Sequence, residues 1–365
     1  MSSESEIRQF LEATEEHLTE ALLEYASIMP MSLINIGKLA LSAPGKVLSA
    51  VPRMQQAGGT LPSPLPRWPL YVIEAYRAGA SYPEDTWRDA LPGAVAVEIA
   101  MSAADLLDEL TDDDPSPVAE QYGPGQALNT ANLMLVMAQQ VLLKAAQSST
   151  KDLYLAALAA LQEMLVEAAV GQHLDMLYDG LPPGVVTLEM SADVTAKKAG
   201  ALIAGAWRVG AVLSGAEAPV VDLLTRLGRE TGGFAQLSND LEAVLPLDIS
   251  SSDVSLMDEG GTPGLKTDLR LRKRTMPIVF TLREEGEAPN PLQRAFSDPT
   301  YAASVDEDTL RRAIVEAGGV QFVQLVMEVH AQTIVQLLAE LETLRPGATE
   351  ALGYLLPVQA AEVED

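Results

Sequence analysis

Residues 95 to 114 read VAVEIAMSAADLLDELTDDD, an apolar run that ends in closely spaced carboxylates. Asp108 and Asp112 are four positions apart, so on a helix they lie on one face, one turn apart. Asp105 precedes Asp108 by three positions and lies near the same face. Stacked like charges repel each other, and a cation between them relieves that repulsion. Because carboxylate oxygens suit Mg²⁺, the stretch predicts a buried helix with a metal-binding end.

The chain as a whole is strongly acidic, with 51 Asp and Glu residues against 24 Lys and Arg and a formal net charge of -27. A solvated acidic helix end is therefore the plain alternative for residues 105 to 114. An acidic surface repels phosphate backbones and anionic lipid headgroups, so we expect no nucleic-acid partner and no binding to an anionic membrane. A diphosphate ligand would need metal ions or a few converging lysines and arginines.

Composition and hydropathy pattern predict an all-α protein. Of the 365 residues, 48% are hydrophobic but only 5% are aromatic, and Ala and Leu, which favour helix, supply much of the apolar content. Apolar positions recur at helical spacing through most of the chain, for example from Ser32 to Met54 and from Asp306 to Leu344. We predict an acidic N-terminal helix in residues 1–30, followed by a single antiparallel helical bundle in residues 31–365.

Cysteine usage and apolar runs bear on the compartment. The sequence contains no cysteine, which excludes disulfides and thiolate chemistry and fits a reducing compartment. The apolar run from Leu153 to Val170 is interrupted by Gln162, Glu163 and Glu167, and we interpret it as a buried helix. We therefore expect a cytoplasmic protein with no membrane span.

Two later segments carry candidate ligands for a diphosphate. Gln236, Asn239 and Asp240 fall on one helical face at spacings of three and four, and their amide and carboxylate oxygens suit a metal ion. The segment from Lys266 to Arg274 places five cations in nine positions. Such a cluster can neutralise a departing diphosphate, while a solvated basic helix start is the alternative.

Taken together, these segments resemble the trans-isoprenyl diphosphate synthase superfamily, the class I isoprenoid synthases. That family carries two aspartate-rich motifs on facing helices of an all-α bundle. Asp108-Glu109-x-x-Asp112 is similar to the first motif, and the segment from Gly233 to Asp240 resembles the lead-in and start of the second. The resemblance covers roughly Lys46 to Glu285, with its motifs in the family's order.

Further positions match between and beside the two motifs. Gly171-Gln172-His173-Leu174-Asp175 is similar to a segment whose aspartate binds metal in the family. Lys198 stands in a helix that resembles one whose lysine touches diphosphate. Lys46 lies in a segment similar to an early Gly-Gly-Lys signature, and Lys273 in one similar to the stretch that follows the second motif.

The resemblance implies an Mg²⁺-dependent site that binds and ionises a prenyl diphosphate. The implied metal ligands are Asp108, Glu109, Asp112, Asp175, Asn239 and Asp240. The residues implied to bind diphosphate are Lys46, Lys198, Lys266, Lys273 and Gln236. The implied catalytic residues are Asp108, Asp112 and Asp240.

Several positions depart from the family pattern. No Arg or Lys occurs between Asp108 and Lys144, where the family has paired arginines. Met101 stands in place of a histidine of the second-substrate site, and Asn239 in place of the first aspartate of the second motif. These changes remove much of the pocket for isopentenyl diphosphate, so ordinary chain elongation is not what we expect.

The predicted prenyl pocket lies just before the first motif. Ala103 and Ala104 occupy positions where the family often has bulky residues, and Met101 lies beside them in sequence. Two small side chains there would leave a deep pocket for a prenyl chain of farnesyl size or longer. Simple helix–helix packing is the alternative explanation for these alanines.

Three functions stay open at this point. The first is an isoprenyl transferase with a peptide or small-molecule acceptor, similar to the branch that prenylates a tryptophan in a competence pheromone peptide. The second is a terpene cyclase acting on a farnesyl or longer prenyl diphosphate. The third is a non-catalytic partner subunit of a prenyl synthase. The resemblance also implies a homodimer.

Overall fold

The computed structural model describes residues 2–25, 29–80, 86–112, 114–147, 150–245, 268–284, 286 and 288–357, without the side chains at positions 268 and 270. These residues form helices joined by turns and loops, and the described ranges contain no β-strand. The prediction of an all-α helical bundle is confirmed.

The helices follow one another with short connections. The first half contains α1 (Glu4–Glu24), α2 (Met31–Ala40), α3 (Val47–Gln56), α4 (Arg67–Gly79), a 3₁₀ turn (Trp87–Ala90), α5 (Leu91–Thr111), α6 (Pro117–Tyr122), α7 (Pro124–Ala145) and α8 (Lys151–Asp179). The second half contains α9 (Leu188–Thr195), a π-helical turn (Ala196–Gly200), α10 (Ala201–Leu213), α11 (Ala218–Val244), α12 (Asp268–Leu271), α13 (Met276–Leu282), α14 (Pro291–Ser297), α15 (Pro299–Ser304), α16 (Glu307–Glu316), α17 (Gly319–Leu344), α18 (Ala348–Leu352) and a 3₁₀ turn (Gly353–Leu355).

Two predicted long helices are each divided in two. The helix predicted from Ser32 to Met54 is wrong, because α2 ends at Ala40 and α3 begins at Val47. Gly45 between them has a φ of 79°, a left-handed conformation that favours glycine and cannot continue a helix. The helix predicted from Asp306 to Leu344 is likewise divided into α16 and α17, with Gly318 at a φ of 84° between them.

The chain groups into two compact units. One unit comprises Met1–Met164, Ile203–Gly228 and Leu337–Asp365, and the other comprises Leu165–Leu202 and Arg229–Gln336. The predicted boundary after residue 30 stays a prediction.

Helix α5 is the central helix of the first unit. It packs mainly against α7 and α4, and its side chains are buried almost without interruption from Gly93 to Ala103. Full burial of an aliphatic side chain contributes about 1.5–3 kcal/mol, so this run fixes α5 firmly. The acidic end of α5 is therefore carried by one of the most deeply packed helices of the unit.

The second unit has its own apolar core. The C-terminal part of α11, from Leu237 to Val244, and the following Leu245 pack with residues of α13, α14, α16 and α17. Leu292, Ile314 and Val323 are completely buried in this cluster. The core holds α11 in place where it carries Gln236, Asn239 and Asp240.

Three helical stretches are long and apolar enough to cross a membrane by length and composition alone: Trp87–Thr111, Lys151–Asp179 and Gly319–Leu344. The most apolar part of the first is 78% buried in the fold, against 28% for each of the other two. The expectation that residues 153–170 form a buried helix is thus wrong as to burial, since Val166 is 66% exposed. That the protein lacks a membrane span stays a prediction.

Candidate functional site

The first group of site residues lies at the C-terminal end of α5. Asp108 and Asp112 are half-buried, and the Asp112 backbone N–H closes the helix by donating to the Asp108 carbonyl at 2.9 Å. The last turn of α5 contains no basic residue. Because the C-terminal end of a helix carries partial negative charge, carboxylates there are unfavourable unless a cation lies close by. This end of α5 is therefore suited to binding a cation.

Lys46 supplies one such cation at the N-terminal end of α3. Its Nζ lies 2.5 Å from Asp105 Oδ2, and only 6% of its side chain is exposed. The completely buried Glu98 accepts a hydrogen bond from the backbone N–H of Val47, the residue after Lys46, at 2.8 Å. Burial raises the pKa of Glu98, and the charge of Lys46 opposes the rise. Lys46 thus pairs with Asp105, and its charge also acts on the buried carboxyl group of Glu98.

Glu109, which the sequence predicts as a metal ligand, has a local partner. Its carboxylate accepts a hydrogen bond from the side chain of Ser116, the residue that caps α6. Burial raises the pKa of Glu109, and the Ser116 hydrogen bond opposes the rise. Glu109 therefore ties the loop after α5 back to the helix.

The residues of the predicted prenyl pocket lie one to two turns before this acidic end. Met101 and Ala103 are fully buried, while Ala104 is half-buried. Ala104 is thus the one of the three that reaches partly exposed surface near Asp108. The pocket itself stays a prediction.

The second group of site residues lies in the other unit and centres on Asp175 of α8. Lys198 Nζ lies 3.1 Å from Asp175 Oδ2, and Lys273 Nζ lies 3.6 Å from the same oxygen. The side chains of these three residues are between 9% and 22% exposed. Two predicted diphosphate-binding lysines and one predicted metal ligand are thus brought together, although 98 positions separate Asp175 from Lys273 in the sequence.

Lys198 is presented by the π-helical turn Ala196–Gly200. A Cβ on Gly171 of α8 would lie 2.5 Å from the Lys198 backbone nitrogen, and one on Gly232 of α11 would lie 2.6 Å from the Ala199 carbonyl oxygen. Only glycine permits an approach this close. Single π turns are often found at functional sites, and here two glycines fix the position of one.

An ion pair supports the same turn. Arg229 of α11 donates to both carboxylate oxygens of Glu167 on α8, at 2.7 and 2.9 Å, and also to the Ala196 carbonyl oxygen at 3.3 Å. A two-bond contact of this kind orients the guanidinium as well as neutralising it. Arg229 therefore satisfies a carbonyl group at the start of the π turn and links that turn to α8.

Asp179, the last residue of α8, holds the segment that carries Lys273. Its Oδ2 lies 3.4 Å from Lys273 Nζ, and its Oδ1 accepts a hydrogen bond from the Arg274 backbone N–H at 3.1 Å. Arg272 just before them has a φ of 58°, a strained conformation for a residue with a side chain. Burial raises the pKa of Asp179 to about 6, against the opposing charge of Lys273.

The start of the second motif is part of the same unit. Gln236 Nε2 donates to Asp240 Oδ1 at 2.8 Å. Asp240 is 3% exposed, whereas Asn239 is half-buried. Gln236 thus orients a buried carboxylate on α11. Lys266, the remaining predicted diphosphate ligand, lies outside the described residues.

The donor set fits Mg²⁺, with a restriction. Within the described ranges, no three Asp, Glu, His or Cys side chains are grouped so that they could hold a metal ion by themselves. Mg²⁺ is usually bound by one or two carboxylates together with water and phosphate oxygens. Carboxylates at the negative end of α5 suit that mode, in which water and phosphate oxygens would supply the remaining ligands.

Sequence reasoning missed three residues that organise the second group: Asp179, Arg229 and Glu167. Asp179 follows Asp175 by four positions, so helical spacing could have identified it. Glu167 and Arg229 are 62 positions apart, and neither belongs to a recognisable motif. Their pairing depends on how α8 and α11 pack.

Comparison with solved structures defines the class of protein. A polyprenyl synthetase from Streptomyces coelicolor A3(2) superposes with a TM-score of 0.71 at 23% identity, over 96% of this chain and 99% of that one. A geranylgeranyl pyrophosphate synthase from Corynebacterium glutamicum, solved in complex with isoprenyl diphosphate and magnesium, gives 0.69 at 17% identity, over 95% of this chain and 98% of that one. The fold is that of the all-α isoprenyl diphosphate synthases.

Sequence comparison gives the family. The chain is 30% identical over 258 residues to a (2E,6E)-farnesyl diphosphate synthase of Mycobacterium tuberculosis, covering 69% of this chain and 66% of the relative. It is 25% identical over 259 residues to a geranylgeranyl diphosphate synthase of the same organism, covering 69% of each. Residues 67–314 match the polyprenyl synthetase family. The chain belongs to the polyprenyl synthetase family, and the predicted enzyme class, a class I isoprenoid synthase, is confirmed.

Proposed function

We propose that this protein binds an allylic prenyl diphosphate together with Mg²⁺ and transfers the prenyl group to an acceptor. The observation that carries the proposal is the convergence of Lys198 and Lys273 on Asp175. Two ammonium groups, one buried and one half-buried, lie beside one carboxylate. They form a site that can receive an anion once a metal ion occupies the carboxylate. The matched region spans about two thirds of the (2E,6E)-farnesyl diphosphate synthase, at 66% of its length.

Each group of residues has a defined role in this proposal. In the first unit, Asp108, Asp112 and Glu109 would hold metal at the end of α5. In the second unit, Asp175, Asn239 and Asp240 would hold metal beside the two lysines. When bound, Mg²⁺ would neutralise the charge that builds on the diphosphate oxygens as the C–O bond breaks. Lys198, Lys273 and Lys266 bind the diphosphate, and Gln236 keeps Asp240 in position.

The surroundings of Lys46 in the first unit support the proposal that the acceptor carries no diphosphate. Lys46 is the cation retained from the segment that binds the second substrate in the family, and here it is already paired with Asp105 at 2.5 Å. The neighbouring Glu98 adds a second carboxyl group. A second diphosphate would meet the half-exposed Asp105 carboxylate there instead of the cations it requires. We therefore propose a peptide or small-molecule acceptor, as in the competence-pheromone branch that the sequence resembles.

A homodimer in the cytoplasm completes the proposal. Helix α7 exposes the large apolar side chains of Leu128, Val136 and Leu143, which are 49%, 54% and 40% exposed. Apolar groups repeated along one helix support burial against another copy of the chain. Light scattering during gel filtration tests this: the mass of a dimer is expected, and Val136→Glu should shift it toward the monomer.

The reaction is tested by incubating the purified protein with geranyl, farnesyl and geranylgeranyl diphosphates and Mg²⁺, with and without isopentenyl diphosphate. Released pyrophosphate and organic products are measured together. The proposal expects release without isopentenyl diphosphate, with a prenol as product until an acceptor is supplied. A hydrocarbon product would identify a terpene cyclase instead. Longer prenyl diphosphates formed only with isopentenyl diphosphate would show a chain-elongating synthase, and no release at all would indicate a non-catalytic subunit.

A further inference from the structure

The carboxylate of Asp175 is paired with two lysines at once. Both Lys198 and Lys273 approach the same oxygen, Oδ2, at 3.1 and 3.6 Å. If Asp175 is to bind a metal ion, as the proposed function requires, both ammonium groups compete with that ion for the negative charge of the carboxylate. A diphosphate that arrives with the metal offers Lys198 and Lys273 new partners only after it has bound.

Separating Lys273 from Asp175 is unfavourable in free energy unless another anion takes its place. Only 9% of its side chain is exposed, and an ammonium group that is buried without a partner is strongly unfavourable. Asp179, one helical turn beyond Asp175, provides that second anion: its Oδ2 lies 3.4 Å from Lys273 Nζ. Lys273 therefore lies between two carboxylates on the same face of α8.

The position of Asp179 does not depend on Lys273. Its other oxygen accepts a hydrogen bond from the Arg274 backbone N–H at 3.1 Å. The Arg274 side chain is in turn fixed by its donation to the Leu181 carbonyl oxygen at 2.6 Å and by its position 4.6 Å above the ring of Phe296. Asp179 is thus an anion held in place while Lys273 exchanges partners.

From this geometry we infer that Asp179 is a positioning residue that retains Lys273 when Asp175 turns to the metal ion. The inference rests on the proposed function. According to this inference, Asp179 lowers the Mg²⁺ concentration that is needed for diphosphate binding. Without the charge of Asp179, Lys273 stays on Asp175 and competes with the metal.

The test is binding of inorganic pyrophosphate, measured by calorimetry at a series of Mg²⁺ concentrations. Asp179→Asn keeps an oxygen that accepts from the Arg274 N–H but removes the charge. We expect it to raise the Mg²⁺ concentration for half-maximal binding by about three- to tenfold, the size of one half-buried ion pair. Asp179→Glu, which keeps the charge, should restore part of the loss. A cooperative thermal unfolding transition in each variant is the control that the variant is folded.

Two controls separate this role from simpler ones. Asp308→Asn makes the same charge change at an exposed ion pair with Arg312 on α16, and it should leave the Mg²⁺ dependence unchanged. In a Lys273→Met background, Asp179→Asn should have little further effect, because the two residues act together.

Three outcomes would overturn the inference. Wild-type Mg²⁺ dependence in Asp179→Asn would show that the charge of Asp179 is not used. An equal shift in the Lys273→Met background would show that Asp179 acts on the metal directly. Absence of pyrophosphate binding by the wild-type protein at every Mg²⁺ concentration would remove the proposed function together with the inference, so the two failures are distinguishable.

Discussion

Lys46 Nζ and Asp105 Oδ2 lie 2.5 Å apart, and this contact joins the N-terminal end of α3 to the acidic end of α5. The lysine is almost completely buried, whereas half of the aspartate side chain (49%) is exposed. Lys46 therefore stabilises the acidic end of α5 by neutralising the carboxylate of Asp105.

Asp105→Asn should destabilise the protein, because it leaves the buried Lys46 with less compensation. We expect a loss of about 1–2 kcal/mol in the free energy of unfolding, below the cost of a fully buried pair because Asp105 is half exposed. Urea unfolding measures it. The matched control is Asp222→Asn, which breaks an exposed pair with Arg226 and should cost at most about 0.5 kcal/mol. Equal effects of the two substitutions would contradict the assigned role of Lys46.

Gly171→Ala should disturb the π turn that presents Lys198. The added Cβ would lie 2.5 Å from the Lys198 backbone nitrogen, and backbone atoms cannot move aside as a flexible side chain does. Overpacking of this kind costs about 1–3 kcal/mol, which outweighs the gain of up to about 1 kcal/mol in helix propensity. We expect lower stability and a higher KM for the prenyl diphosphate.

Gly37→Ala is the control for that substitution. Gly37 lies inside α2, and a Cβ there would have no heavy atom within 4 Å. This substitution should therefore be neutral or stabilising by up to about 1 kcal/mol. If the Gly171→Ala and Gly37→Ala proteins were equally stable, α8 and the π turn could move apart without loss of stability. That result would contradict the prediction.

Glu74 gives a prediction for pH. It is completely buried and accepts hydrogen bonds from Tyr354 Oη at 2.9 Å and Ser2 Oγ at 2.5 Å, and it pairs with Arg77 at 2.9 Å. Burial raises its pKa above the ordinary value of 4.5, against the opposing charge of Arg77. The folded protein then holds this proton more tightly than the unfolded chain does.

The stability that Glu74 contributes is consequently complete below pH 4.5 and is lost as the pH rises through its folded-state pKa. Glu74→Gln does not titrate. The difference in unfolding free energy, wild type minus Glu74→Gln, should therefore fall as the pH rises above 4.5. Urea unfolding of both proteins between about pH 5.5 and pH 8 covers this range. If this difference in unfolding free energy instead grew with pH, the pKa of Glu74 in the folded protein would be lowered, which would contradict the prediction.

Ala104→Phe tests the predicted prenyl pocket. Ala104 is half-buried one turn before Asp108, so a large ring there should block the far end of a long prenyl chain. We expect kcat/KM to fall at least about tenfold more for geranylgeranyl than for geranyl diphosphate, since steric exclusion exceeds the effect of one methylene. Ala94→Val, in the same helix but outside the predicted pocket, is the comparison. An equal loss for both substrates would place the pocket elsewhere.

The sequence predicts the helical class, and the helix that carries Asp105 and Asp108, well, because both depend on local spacing. Helical spacing also groups Gln236 with Asp240 correctly. The breaks at Gly45 and Gly318 were missed because the apolar period continues across them, while the backbone must turn there. Burial of α8 was overestimated for a similar reason, since apolar content alone does not show whether a partner covers a helix.

The contacts around Lys198 and Lys273 could not be derived from spacing. The π turn depends on two glycines from different helices, and the ion pair between Glu167 and Arg229 joins positions 62 apart. Asp179 has a sequence signal, its spacing of four from Asp175. Its contact with Lys273, 94 positions away, follows only from the packing of the unit.

The central claim is that Asp108 and Mg²⁺ together allow this protein to ionise an allylic diphosphate without a second diphosphate substrate. The most direct measurement is the rate of pyrophosphate release from farnesyl diphosphate in the absence of isopentenyl diphosphate, for the wild type and for Asp108→Asn. We expect release by the wild type with Mg²⁺, none with a chelator, and a loss of at least about 100-fold in Asp108→Asn. Equal release by both proteins, or release that requires isopentenyl diphosphate, would contradict the claim.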